Sequence, residues 1–275
     1  MIVQIKKTFK NFIREKKYLK KLTKNSMIKK IDEMEFNVGV PNWMMSKMEP
    51  STFYEKLFPL YESKFLENMM KMYEFTNLVR VLKKEVYPGM SPFDVDCFNI
   101  LSSNTIGIGI SYIEKFYDSR APGFYNYGAL GTAIAHEIGH GFDLKGRSFE
   151  LIKQDNIEII EPIKYYCLNQ QLKSYYKKML NTPLIQRQDN LRVINENLAD
   201  NIGVIIGYKA YFNSYQRLED DLFYGSLYSR RMYFISYAQK YCGNKPTDIF
   251  LYPPLNYRGF IPLWNFRTAP YLEFL

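Results

Sequence analysis

The chain has 275 residues, 47% of them hydrophobic, which is enough apolar material for a sizeable core and excludes a disordered chain. Its formal charge of +9 is concentrated at one end: residues 1–30 hold eleven Lys/Arg and one acid, net +10, and the rest holds 26 basic and 27 acidic groups, net −1. The body is therefore near neutral, which excludes a fold-wide nucleic-acid surface; no run of about eighteen apolar residues is present, so no helical membrane span is expected either.

Residues 5–35 read as helix, since long-chain residues dominate, Gly and Pro are absent, and Phe9, Ile13, Leu19 and Leu22 recur at roughly helical spacing. The basic run within it reads first as a solvated helix face and second as an arm for a membrane surface or nucleic acid. Segment 1–18 has lysines scattered through it and no apolar stretch of the signal-peptide kind, so no export signal is expected in the sequence as it stands. FNVGVPNW predicts a short strand feeding a Gly/Pro turn, and 52–85 returns to helical periodicity before Pro88-Gly89. Segment 93–113 shows β-branched alternation on either side of Ser102-Ser103-Asn104, which predicts a hairpin or edge-strand pair. From Asn126, YGALGTAIAHEIGHGF predicts a long apolar helix; 163–181, 192–217 and 227–241 predict three more, and Pro253-Pro254 opens an irregular tail. The expected fold is a single α+β domain, mainly α, with a small sheet.

The chemistry concentrates in the predicted helix after Asn126. The sequence contains two histidines, His136 and His140, with Glu137 beside the first. Four residues apart on a helix means one turn apart on the same face, so both imidazoles can reach one tetrahedral ion, and Glu137 flanks the open position where water would sit. Catalytic zinc usually has three protein ligands, and no third histidine exists, so a carboxylate is needed. The best candidate is Glu196 in NENLADNIG, because Asp200 follows at i+4 on the same face and can fix a ligating imidazole through its other nitrogen; an ordinary surface acid pair is the alternative. Three cysteines, Cys97, Cys167 and Cys242, offer no pair at ligand spacing and fit reduced thiols equally well.

NYGALGTAIAHEIGHGFDLKGRSF and NENLADNIG resemble the two signature segments of the neprilysin and endothelin-converting enzyme family of zinc metallopeptidases, and NVGVPNW, the strand region 95–106, YFISYAQKYCG and PPLNYRGFIPLWN fall in that family's order. The resemblance covers about residue 20 to the end. It implies a thermolysin-like (gluzincin) catalytic domain over residues 31–275 with a small edge sheet, preceded by the basic helical segment 1–30. It implies one zinc ion per chain on His136, His140 and Glu196, with Glu137 as general base and Asp200 as the partner of a ligating histidine. Arg258 matches the arginine that grips a substrate backbone carbonyl. The implied activity is metalloendopeptidase hydrolysis of small peptides, at the plasma membrane or outside the cell; the implied partners are peptide substrates, with no nucleic acid.

The sequence departs from that family at several positions. Tyr252 stands where the family has the histidine that donates to the oxyanion; tyrosine offers the same hydrogen bond without a positive charge. Asp96-Cys97 replaces the Asn-Ala that bonds the substrate backbone, keeping an acceptor and losing the amide donor. Asn201-Ile202-Gly203 replaces Asn-Gly-Gly. The family's large N-terminal helical domain is expected to be absent, as are the disulfide partners of Cys167 and Cys242. The alternative to an active peptidase is therefore a truncated or degenerate relative that binds zinc or peptide without efficient turnover. A third class is an interaction protein whose basic arm is the working part.

Overall fold

The computed structural model describes residues 1–40, 45, 48–81, 95–143, 145–146 and 187–240. Two helices open the chain, α1 (Ile2–Glu15) and α2 (Lys21–Glu33), in place of one predicted helix over 5–35. The connection at 16–20 contains neither Gly nor Pro, so nothing local marks the break; it lets both apolar stripes, Ile5, Phe9 and Ile13 on α1 and Met27 and Ile31 on α2, turn into one core. Leu19 is buried in the connection, whereas Leu22, expected on the apolar stripe, is 83% exposed. The basic residues lie mostly on the opposite faces, and several are held locally, as Lys10 is by Asp32 at 2.6 Å.

Strand β1 (Glu35–Val38) follows α2 directly. Helices α3 (Met48–Glu55) and α4 (Phe65–Val81) then form where one helical stretch over 52–85 is expected. Strands β2 (Cys97–Ile100) and β3 (Thr105–Ile108) form the predicted hairpin, with Asn104 at the turn in the left-handed region, φ 54°, a conformation asparagine tolerates better than most residues. Among the described strands the sheet order is β1-β3-β2, with β1 parallel and β2 antiparallel to the central strand. Gly107 on β3 leaves room for the Phe98 ring across the pair, which a Cβ at 2.3 Å would displace. The predicted strand ends one turn earlier than the alternation suggests, since Ile110 begins the short helix α5 (Ile110–Phe116).

The apolar segment after Asn126 is not one uniform helix. It runs as α6 (Gly123–Asn126), one π-helical turn (Tyr127–Gly131), and α7 (Thr132–His140). A π turn carries one extra residue and rotates the helix beyond it; here Thr132 Oγ1 accommodates it by donating to the carbonyls of Gly128 and Ala129 at 2.7 and 2.9 Å. Then come α8 (Arg187–Phe212), α9 (Tyr215–Tyr224) and α10 (Ser226–Gln239). Ser214 caps α9 by accepting from Arg217 N. The expected helix over 163–181 and the tail from Pro253 lie outside the described residues.

Among the described elements the pairing of α7 with α8 is the most extensive, and small residues make it possible. A Cβ on Gly203 would sit 2.8 Å from the Thr132 carbonyl and 3.1 Å from His136 Cβ, so only glycine lets α8 lie directly on α7. Ile202 is buried in the same seam against Gly139. Ile134 and Ile138 on α7 are almost fully enclosed, each contributing about 1.5–3 kcal/mol of burial free energy.

Candidate metal centre

The close α7–α8 seam brings together residues 56–64 positions apart in sequence. His136 and His140 project from α7 as the i,i+4 spacing predicts, and Glu196 reaches them from α8. His136 Nε2 stands 2.9 Å from His140 Nε2; Glu196 Oε2 is 3.4 Å from the first and 3.5 Å from the second. Three ligand atoms held about 2.0–2.2 Å from a tetrahedral ion stand about 3.3–3.6 Å from one another. The triangle in this protein has nearly that size, and among the described residues His136, His140 and Glu196 form the group able to hold a metal ion.

The outer nitrogens of both rings decide which way the lone pairs point. Asp200 Oδ1 lies 2.9 Å from His136 Nδ1, and Asp143 Oδ2 lies 2.8 Å from His140 Nδ1. A carboxylate accepts, so each Nδ1 carries the proton and each Nε2 of a neutral ring turns its lone pair inward. Two lone pairs and a carboxylate oxygen then face one point, an arrangement that repels itself unless a cation occupies the centre. The donor set, two imidazoles and one carboxylate, is chemistry that suits a zinc ion.

Without a cation, protons take its place. Burial lowers the His136 imidazole, but hydrogen bonds to Asp200 and Glu196 outweigh it and raise the ring to about 9. The same competition, with Asp143 and Glu196 as acceptors, raises His140 to about 10. Burial raises Glu196, and the two histidines reverse this, holding it well below the usual carboxylate range. Burial likewise pushes Glu137 up; the neighbouring imidazoles oppose this and Glu196 and Asp96 reinforce it, leaving the carboxyl at about 7. Glu137 Oε1 lies 3.9 Å from His136 Nε2, on α7 and beside the centre rather than in it.

Asp143 is a residue that sequence reasoning missed. Besides holding His140 it accepts from Lys145 N at 2.8 Å and Gly146 N at 2.6 Å, so one carboxylate closes the turn after α7 and fixes a ring of the centre. The available signal was an acid three residues after the second histidine. Asn99 was missed too: its Nδ2 donates to the Glu137 carbonyl at 2.6 Å, tying strand β2 to α7. Lys240, at the end of α10, has its ammonium lowered by burial, which outweighs the opposing effect of nearby Asp200, Cys97 and Glu137.

Of the expected substrate contacts, Asp96 is exposed at the start of β2 with its Oδ1 accepting from Cys97 N at 2.8 Å. Cys97 is a buried free thiol, pushed well above its usual range by burial and by Glu137 and Asp96. Tyr252 and Arg258, like Cys167 and Cys242, lie outside the described residues.

With this geometry established, comparison with known proteins gives it a lineage. The sequence pattern of peptidase family M13 matches residues 98–256. The chain belongs to peptidase family M13. Among M13 relatives, an endothelin-converting enzyme homolog of Locusta migratoria is 29% identical over 257 residues, covering 88% of this chain and 34% of its own length. Neprilysin-1 of Caenorhabditis elegans is 26% identical over 264 residues, covering 90% and 34%. The chain thus spans about a third of the length of the curated relatives it matches. Solved structures share the fold: PepO from Lactobacillus rhamnosis HN001 (TM-score 0.64, 16% identity, 98% of this chain and 44% of that one) and the Mycobacterium tuberculosis zinc metalloprotease Zmp1 (TM-score 0.59, 22% identity, 87% and 37%). The M13 fold, mainly helical with a small sheet, is the α+β architecture expected from the sequence.

Proposed function

We propose that the chain is the catalytic part of a zinc metalloendopeptidase that hydrolyses small peptides, with residues 31–275 forming the peptidase domain and residues 1–30 a basic helical segment packed on it. The observation that carries this reading is the inward-facing triangle of His136, His140 and Glu196 with a buried carboxyl, Glu137, at its edge. Zinc in such a site supplies Lewis-acid activation of water and polarisation of the scissile carbonyl.

The chain's own residues do the rest. Asp200 and Asp143 hold the two rings in the tautomer that presents Nε2 inward and stop them rotating away. Glu137, a buried carboxyl beside the centre, is placed to take a proton from the attacking water and hand it to the leaving amine. Strand β2, tied to α7 through Asn99, supports a reading in which an extended peptide lies beside it, with Asp96 and Cys97 as neighbours. Arg258 and Tyr252 are proposed, from the resemblance alone, to hold a substrate carbonyl and to donate to the oxyanion. The same resemblance supports a site of action at the plasma membrane or outside the cell; among the described residues no helix is long and apolar enough to cross a membrane.

The second reading is a relative that binds zinc without efficient turnover, and the tyrosine at position 252 favours it. One experiment separates the two. The zinc-loaded full chain is given a library of internally quenched peptides, with a chelator and the Glu137→Gln variant as controls. Cleavage that needs metal and falls about 10²–10⁴-fold in Glu137→Gln, the range for loss of a general base, supports the peptidase; bound zinc with no peptide cut supports the second reading; a chain that takes up no zinc overturns both.

A further inference from the structure

Lys30 joins the N-terminal helices to the metal centre over 111 residues of sequence. From α2, its Nζ donates to the Gly141 carbonyl at 2.7 Å and the Gly146 carbonyl at 3.3 Å, and it stands 5.4 Å from the centre of the Phe142 ring. Two carbonyls and an aromatic face thus stand around the ammonium. Gly141 is the residue immediately after His140 and one of the final carbonyls of α7, which no helical N–H can satisfy; a cation there also complements the negative end of the helix dipole. Gly146 closes the turn whose N–H groups hold Asp143, and it is pressed so tightly onto the helix end that a Cβ would overlap the His140 carbonyl.

Lys30 therefore staples both ends of the segment that carries Asp143, and Asp143 fixes His140. We infer that Lys30 is a positioning residue for the metal centre: through the 141–146 turn it sets where Asp143 and the His140 ring stand. This rests on the metal-centre reading above. It also gives the basic N-terminal segment a part in the site that neither of its two sequence readings, solvated face or binding arm, contained. Asn104 Nδ2 donates to the Lys30 carbonyl at 2.9 Å, so the hairpin turn holds the backbone from which the side chain reaches out.

The test is metal binding by the full chain, read by competition with a chromophoric zinc chelator and by the visible absorption of the cobalt(II)-substituted protein. Lys30→Met keeps the stem and removes the charge and donors; Lys29→Met, at an exposed pair with Glu33, is the control. Expected are zinc binding weakened about tenfold in Lys30→Met, in the range for loss of an outer partner of a ligand, an altered cobalt spectrum, recovery in Lys30→Arg, and no change in Lys29→Met. Lys30→Met binding zinc as tightly as the parent with an identical cobalt spectrum, even if it melts earlier, overturns the inference. If Lys30→Met does not fold, Lys30→Gln carries the test: weakened binding supports the inference and parental binding overturns it. A parent chain that binds no zinc at all is a different result, and it overturns the metal-centre reading first.

Discussion

The α7–α8 seam and the outer face of α9 are built on opposite plans. In the seam, glycine and alanine bring two backbones together, and two buried acids, Asp200 in the seam and Asp143 in the turn after α7, each hold a histidine ring. On α9 the large side chains Tyr215, Leu222 and Phe223 stand more than two-thirds exposed, while buried Asp220 accepts from Gly123 N, Phe124 N and the Tyr211 hydroxyl. One surface spends its polar groups on orienting a ligand set; the other uses a buried acid to anchor the start of α6. The comparison teaches that a buried carboxylate is not by itself a sign of catalysis: its partner decides what it does.

If that contrast is right, the largest effects of substitution fall in the seam. Asp200→Asn should weaken zinc binding about 10–100-fold, because an amide can offer its N–H to the ring and so loses the tautomer that turns Nε2 inward; a chelator-competition titration reads it. Gly203→Ala should cost about 1–3 kcal/mol, the usual penalty for overpacking, since the added methyl meets the Thr132 carbonyl and His136 Cβ; urea unfolding reads the stability, and the same sample should show weaker zinc binding.

A third test uses pH on the metal-free chain. His136 and His140 are raised to about 9 and about 10 from an ordinary 6.5, so the folded state favours their protonated forms. That stabilisation is fully present below pH 6.5 and is lost as pH rises through about 9 to 10. Glu137, raised to about 7, adds to the loss between 4.5 and 7, whereas Glu196, held low, contributes stability above its ordinary value that is lost in acid. The melting temperature of the chelator-treated protein should therefore fall from pH 6.5 toward 10, and saturating zinc should flatten the slope, since the ion replaces the protons. The smallest effect belongs to α9: Leu222→Ser, at a residue 81% exposed, should change stability by less than about 0.5 kcal/mol and leave zinc binding untouched.

Legibility in the sequence tracks the range of the interactions. His136, Glu137 and His140 could be read because ligand spacing on a helix is a local property, and Glu196 because its i+4 partner Asp200 marks a shared face. The β2–β3 hairpin was readable from alternation around Ser102-Ser103-Asn104. Hidden were features set by packing: the break at 16–20, where no Gly or Pro interrupts the pattern; the π turn at 127–131, too short to disturb an apolar period; and the reach of Lys30 and Asn99 to backbone carbonyls far along the chain. Asp143 lay between these cases, near in sequence but beyond the helix end, where face-sharing rules no longer apply.

The most direct test of the central claim is anomalous scattering at the zinc edge from crystals of the zinc-loaded chain. A single peak about 2.0–2.2 Å from His136 Nε2, His140 Nε2 and a Glu196 carboxylate oxygen is the predicted result. Zinc bound at other residues, or with Glu196 out of coordinating range, would contradict it.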